Sequence, residues 1–182
     1  MPIQQGTPTS FLNPKVVVEE FDLKPDMHVA DFGSGAGHFA LAMAERVGKR
    51  GTVAALDVRP EVLEVLNGHR KLRGLLNITT RVADLDIVGA SQLGDNSQDR
   101  VLCANILHQT DDAKAVVQEA FRVLKRGGSL IIIDWKPQVI LGPRAVLSAE
   151  NARALAEEAG FVFKNTFDAG AFHYGFILTK HT

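Results

Sequence analysis

The chain holds one cysteine, Cys103, so no disulfide can form within it. That residue lies inside an apolar run, which points to a buried thiol in a reducing compartment. Charge excess is missing as well: 20 basic side chains stand against 21 acidic ones, a formal net charge of −1. Such a balance gives no general reason to expect a polyanion or an anionic membrane surface as partner. The basic residues that do cluster, Arg46/Lys49/Arg50, Arg70/Lys71/Arg73 and Lys125/Arg126, fall in or just after the last turn of predicted helices, where cations complement the helix dipole. Nucleic acid is therefore not an expected partner. No stretch reaches the length of a membrane span, and the opening MPIQQGTPTSFLNP has neither a charged n-region nor an apolar h-region. The expectation is a soluble, cytoplasmic protein with no membrane partner. Nothing in the sequence decides between monomer and homodimer.

What is present is a rhythm. With 182 residues and close to half of them apolar, the chain suits one well-filled core and is short for two, so one domain is expected over 1–182. Apolar runs of strand length alternate with amphipathic runs of helix length, the pattern of an α/β sheet. The runs predict strands at about 28–33, 52–57, 78–83, 100–105 and 128–134. Pro60 suits a first helical turn, with Val62, Leu63 and Leu66 as the buried stripe. Asp111 or Asp112 can cap the next helix, and Gly127-Gly128 is expected to stop it. Ser148 caps a further helix ending at Gly160. Then the rhythm changes: residues 161–180 read as two β-rich runs around Ala169-Gly170, a hairpin. Residues 1–22 fit least well, and Pro14 to Phe21 could form a short helix lying like a lid over the open end of the sheet.

Between the first apolar run and the first amphipathic one stands VADFGSGAGHF, with Gly33, Gly35 and Gly37 at two-residue spacing. At the end of the first strand of an open α/β sheet, ligands bind beside the strand ends, and side chains on that turn would intrude on their space. A dinucleotide fingerprint, G-x-G-x-x-G, would need its third glycine where His38 stands, which counts against NAD or FAD. A phosphate-cradling loop ending in Lys-Ser or Lys-Thr is missing, which counts against ATP.

These residues resemble the first motif of class I S-adenosylmethionine (AdoMet)-dependent methyltransferases, an acidic residue followed by G-x-G-x-G, and the likeness continues over roughly residues 26–136. Asp57 closes TVAALDVRP, where the family has an acidic residue for the ribose hydroxyls. Asp84 follows the third strand, where the family places an acidic side chain near the adenine amino group, with Leu85 or Val58 as apolar neighbours. VLCANILHQ ends the fourth strand, and VLKRGGSLIIIDW is similar to the family's helix, Gly-Gly turn and fifth strand. The resemblance implies a Rossmann-like seven-stranded α/β sheet with helices on both faces and the last strand antiparallel. Within the family it lies nearest the small-molecule branch that includes quinone-biosynthesis C-methyltransferases. AdoMet is the implied cofactor and a small organic molecule the implied acceptor.

Residue types agree with that chemistry. Asp31 can accept from the ammonium of the methionine tail, and the helix beginning near Gly37 offers free N–H groups to its carboxylate. The implied cofactor set is Asp31, Gly33, Ser34, Gly35, Gly37, Asp57, Val58, Asp84, Leu85 and Asn105. Asp57 could instead be a plain helix cap and Asp84 a solvated loop charge. Methyl transfer from a sulfonium mainly needs alignment and exclusion of water. Asn105 should face the methyl and the acceptor, and His108 is the candidate base, with a residue bonded to backbone as its alternative reading. Ile106-Leu107-His108 follows Asn105 in place of Pro-Pro and an aromatic residue, so the motif of many nucleic-acid and protein amino methyltransferases is missing. His38, Trp135, Lys136, His173 and Tyr174 could line the acceptor side, and no metal site is expected. A nucleic-acid or protein methyltransferase, a non-catalytic AdoMet-binding module and, behind them, a nicotinamide-dependent oxidoreductase are the alternatives.

Overall fold

The structure is a computed structural model describing residues 11–137, 139 and 142–181. Its strands are β1 (His28–Phe32), β2 (Thr52–Asp57), β3 (Ile78–Val82), β4 (Gln98–Ala104), β5 (Leu124–Trp135), β6 (Phe161–Phe167) and β7 (His173–Lys180). They form one sheet in the order β3-β2-β1-β4-β5-β7-β6. β1 to β5 pair in parallel, and β7 runs antiparallel to both β5 and β6. The order reverses beside β1: the chain moves outward to β3, then returns on the other side of β1 as β4. Ligand crevices of open α/β sheets form at such a switch point.

Among the described residues five helices accompany the sheet: α1 (Pro14–Val17), α2 (His38–Val47), α3 (Pro60–Leu72), α4 (Ala113–Val123) and α5 (Ala149–Glu158). Their starts follow local chemistry. Asn13 accepts from the Lys15 amide, Asp112 from Ala115 and Ser148 from Asn151, while Pro60 occupies the first turn of α3. Of the two aspartates offered as caps, Asp112 takes the role; the amides of both Asp111 and Asp112 donate to the Asp86 carboxylate. A 3-10 turn, Val18–Phe21, continues α1 and is tied to β4 by Arg100, which donates to the Phe21 and Asp22 carbonyls.

The apolar side chains separate by sheet face, as strand alternation requires. Val29, Leu102, Ile131, Ile133 and Ile177 pack with α2 and Val17, Val18 and Phe21, whereas Phe32, Cys103, Leu130, Ile132 and Phe176 pack with α4 and α5. Fully buried residues such as Phe32 and Ile131 each contribute about 1.5–3 kcal/mol of hydrophobic stabilisation.

One expected boundary is corrected. Gly127-Gly128 does not stop α4, which ends at Val123 and passes directly into an extended Leu124. Leu124 is fully buried and pairs with Gln98, so the strand ladder ends the helix first. The glycines lie inside the irregular start of β5, where a Cβ on Gly128 would sit 2.8 Å from the Lys125 carbonyl. No helix among the described residues is long and apolar enough to cross a membrane. Residues 1–10 of the expected lid lie outside the described residues.

Candidate cofactor and acceptor site

The β1–α2 turn carries Gly33, Gly35 and Gly37, all with positive φ. Their tasks differ from the single one the spacing suggested. A Cβ on Gly33 would meet Ile106 at 2.8 Å and one on Gly37 would meet Leu66 at 2.2 Å, so these two glycines admit neighbouring apolar side chains. Only Gly35 faces open space, where its missing side chain leaves room for a ligand. The turn is anchored to β2: the Gly33 and Ser34 amides both donate to the Leu56 carbonyl at 2.8 Å, and the Gly35 amide donates to Asp57 Oδ2 at 2.9 Å.

Two cavities open at the carboxyl ends of β1, β2 and β4. The first, of about 250 Å³, is lined by Asp57, Val58, Asp84, Leu85 and Asn105 among others. Asp57 is nearly buried, and its Oδ1 accepts from the amide and Nε of Arg59. Each oxygen thus has a protein partner, and Oδ2, with a single donor, retains lone-pair capacity toward the cavity. Asp84 is exposed at the rim, accepting from the Asp86 amide, while Leu85 is buried and Val58 is left 58% exposed beside it. Ile106, Gln109 and Thr110 from the β4–α4 loop complete the wall, a contribution no motif announced.

The second cavity, of about 420 Å³, holds Asp31, Ser34, Gly35, His38 and Asn105, with Leu12, Pro14 and Phe39 as apolar wall. Three buried polar atoms have no hydrogen-bond partner there among the described residues: Asp31 Oδ2, Ser34 Oγ and Asn105 Oδ1. Burial pushes the Asp31 carboxyl up to about 7; the Ala40 amide at the start of α2 opposes this and the Asp57 charge adds to it. Asn105 holds φ at 55°, a conformation asparagine tolerates better than other non-glycine residues, and it lines both cavities. Gly37 caps α2 and lines neither cavity.

Beyond Asn105, His108 Nδ1 lies 2.6 Å from Asp134 Oδ1, and the His108 amide donates to the other oxygen. Asp134 is buried, and burial raises its carboxyl pKa against the hydrogen bonds from Trp135 and His108. The alternative reading of His108 as a backbone-bonded residue does not describe it, since its ring nitrogen meets a carboxylate. His108 is among the wall residues of neither cavity. Lys136 is occupied: its Nζ donates to the Gly170 and Ala171 carbonyls. His173 and Tyr174 take opposite faces, His173 tilted against Trp135 and Tyr174 stacking on Phe176, its hydroxyl donating to the Leu147 carbonyl. Cys103 is buried and burial pushes its thiol well up, so it offers no thiolate.

A glycine turn at the switch point, a carboxylate closing β2 and an antiparallel last strand define a Rossmann-like class I methyltransferase. Residues 23–171 match the methyltransferase domain family, and the chain belongs to it. The crystal structure of a SAM dependent methyltransferase from Aquifex aeolicus superposes with a TM-score of 0.82 at 26% identity, covering 96% of this chain and 93% of that one. The chain is 30% identical over 141 residues to a ubiquinone biosynthesis O-methyltransferase of Xanthomonas campestris pv. campestris, 78% of this chain and 56% of the relative. It is 32% identical over 110 residues to an arsenite methyltransferase of Aquipseudomonas alcaligenes, 58% of this chain and 32% of the relative. It therefore spans between a third and just over half of the length of these two relatives. The enzyme class is that of AdoMet-dependent methyltransferases, with AdoMet as cofactor. The residues present fit it: orphaned Asp31, Ser34 and Asn105 atoms beside an open glycine turn suit a zwitterionic tail, and exposed Val58 beside Asp57 and Asp84 suits a nucleoside.

Proposed function

We propose that this chain moves a methyl group from AdoMet to a small organic acceptor. The observation that carries the reading is the convergence of Asp31 Oδ2, Ser34 Oγ and Asn105 Oδ1, buried and unpartnered, on one cavity at the strand ends. Bound AdoMet supplies a methyl carbon already activated by a sulfonium. The chain supplies the rest. Asp57 receives the ribose hydroxyls, and Asp84, Val58 and Leu85 hold the adenine. Asp31 takes the ammonium, while Ser34 and the start of α2 face the carboxylate. Asn105, common to both cavities, sits where methyl and acceptor meet. His108 takes the acceptor proton where the acceptor must lose one; Asp134 meets the ring at Nδ1 and so leaves Nε2 as the accepting nitrogen. The segment 11–22 covers the tail end through Leu12 and Pro14.

Two features support an organic acceptor over other classes. Trivalent arsenic prefers soft thiolate partners, and Cys103, the single cysteine, is buried with its thiol held protonated. Nucleic acids need a basic face, yet Arg46, Arg50, Arg73 and Lys125 are each paired with a carboxylate. Those pairs and the balanced charge also suit a protein of the cytoplasm.

The test is calorimetry with S-adenosylhomocysteine and NADH, followed by labelled methyl transfer to a metabolite extract, to tRNA and to protein. Binding of S-adenosylhomocysteine alone and label in small molecules are expected. Binding of NADH, or label confined to macromolecules, would overturn the reading.

A further inference from the structure

We propose that His173, packed at a tilt against Trp135, recognises the acceptor, and that this acceptor is a planar ring carrying a hydroxyl group. The inference rests on the methyltransferase reading above and extends it to the acceptor side.

The first observation is an imidazole without partners. His173 is 5% exposed, and neither ring nitrogen has a hydrogen-bond partner among the described residues. A buried ring with both nitrogens unsatisfied is costly, so such a ring marks a place where a ligand completes the bonding. The second observation is its place on the sheet. Register pairs align Asp31 with Leu102, Leu102 with Ile131, Ala104 with Ile133, Ile133 with Gly175 and Trp135 with His173. Strand alternation then puts Asp31, Ala104, Ile133, Trp135 and His173 on one face, with the Trp135–His173 pair farthest toward the carboxyl end. Asp31 and Ala104 line the cavity assigned to the methionine tail. His173 therefore lies along the same face, past Asn105, on the side away from the adenosine end.

The third observation is the surroundings. The His173 and Trp135 rings lie 4.3 Å apart, and Phe172, next in the chain, packs at 5.3 Å on Phe11, whose ring is otherwise exposed. Aromatic faces of this kind favour a flat ring over a flexible chain. Burial first, and then the Lys136 charge nearby, pushes the His173 pKa down to about 4, so the ring is neutral. A neutral imidazole donates one N–H, which a hydroxyl oxygen accepts while its own O–H stays free for a second partner. When that hydroxyl is methylated, its O–H proton passes to His108, the oxygen pair forms the bond to the methyl carbon, and the C–S pair remains on sulfur, giving neutral S-adenosylhomocysteine.

The experiment follows the ring nitrogens of His173 by nitrogen-15 NMR in protein saturated with S-adenosylhomocysteine, titrated with catechol and with cyclohexane-1,2-diol. A saturable shift of His173 with catechol, weaker with the saturated diol, is expected. His173→Phe should weaken catechol binding by at least about tenfold, the loss of one good hydrogen bond in a buried site, and leave S-adenosylhomocysteine affinity unchanged. Where the variant folds poorly, the wild-type spectra decide alone. A silent His173 while S-adenosylhomocysteine is bound, or equal response to both diols, overturns the acceptor assignment only. Failure of wild-type protein to bind S-adenosylhomocysteine overturns the methyltransferase reading together with it.

Discussion

Asp31 and Glu119 are both buried carboxylates on regular elements, and the protein treats them in opposite ways. Glu119, on α4, has no exposed surface. Burial works to raise its pKa, but bonds from Arg122, Ser91 and the Gly89 amide outweigh it and hold the carboxyl below its usual range. Arg122 donates to both Glu119 oxygens, at 2.7 and 2.9 Å, and reaches Asp95 as well. The cluster pins the segment 89–95 against α4 and is satisfied within itself. Asp31, on β1, has an unpartnered oxygen, and burial wins, lifting its carboxyl to about 7. One carboxylate is completed by the fold; the other keeps an open oxygen among the described residues. The difference separates structural from functional burial better than exposure does, since both residues are almost fully enclosed.

That contrast can be broken most forcefully at Glu119. Glu119→Ala removes the acceptor for Arg122, Ser91 and Gly89, and should lower stability by about 3–5 kcal/mol, the range for breaking a buried pair. Thermal denaturation should show a melting point lower by roughly 10 °C, with S-adenosylhomocysteine affinity unchanged for the folded fraction. A selective loss of ligand affinity would show that the cluster is not purely structural.

Asp57 is the intermediate case, with a protein partner on each oxygen and a cavity in front. Asp57→Ala should weaken S-adenosylhomocysteine by about ten- to a hundredfold, the equivalent of roughly 1.5–3 kcal/mol of charge-assisted hydrogen bonding. Calorimetry showing the wild-type constant in an intact variant would remove Asp57 from the ribose site.

The finest distinction comes from pH. Asp31 must ionise to take the ammonium, so S-adenosylhomocysteine affinity should fall by about tenfold per pH unit below 7 and level off above it. Asp31→Asn should bind more weakly and lose that dependence. Stability of the free protein should move the other way. Because the folded-state pKa is raised, the folded chain holds its proton more tightly than the unfolded chain between about pH 4 and 7, and the stabilisation present below that window is lost as pH rises through it. Asp31→Asn, always neutral, should therefore gain on wild type in melting point from pH 5 to pH 8. A constant gap across that range would mean that Asp31 is not the titrating group.

Much of this contrast was partly legible. The glycine spacing and the acidic residue before it placed Asp31 at a ligand site, because an α/β sheet ends its first strand there. Glu119 carried a signal too: Val116, Glu119, Ala120 and Val123 share one helical stripe, so a charged residue occupies an apolar position. Its partners could not be read, since Ser91 and Gly89 are some 30 residues away and meet it only through packing. The Asp134–His108 pair spans 26 residues and two sheet elements, and was hidden for the same reason.

Sequence by itself determined the alternation of elements, a cap at Asp111 or Asp112 and another at Ser148, the glycine turn at Gly33, Gly35 and Gly37, and the acidic ends of β1 and β2. These depend on neighbours within a few residues, where propensity and hydrogen-bond geometry act directly. The tertiary structure alone decided that Gly33 yields to Ile106 and Gly37 to Leu66, that the sheet ladder ends α4 ahead of its glycines, and that Asp31 stays unpaired while Glu119 does not. Those outcomes depend on which distant atoms reach the same volume, and only the folded packing fixes that.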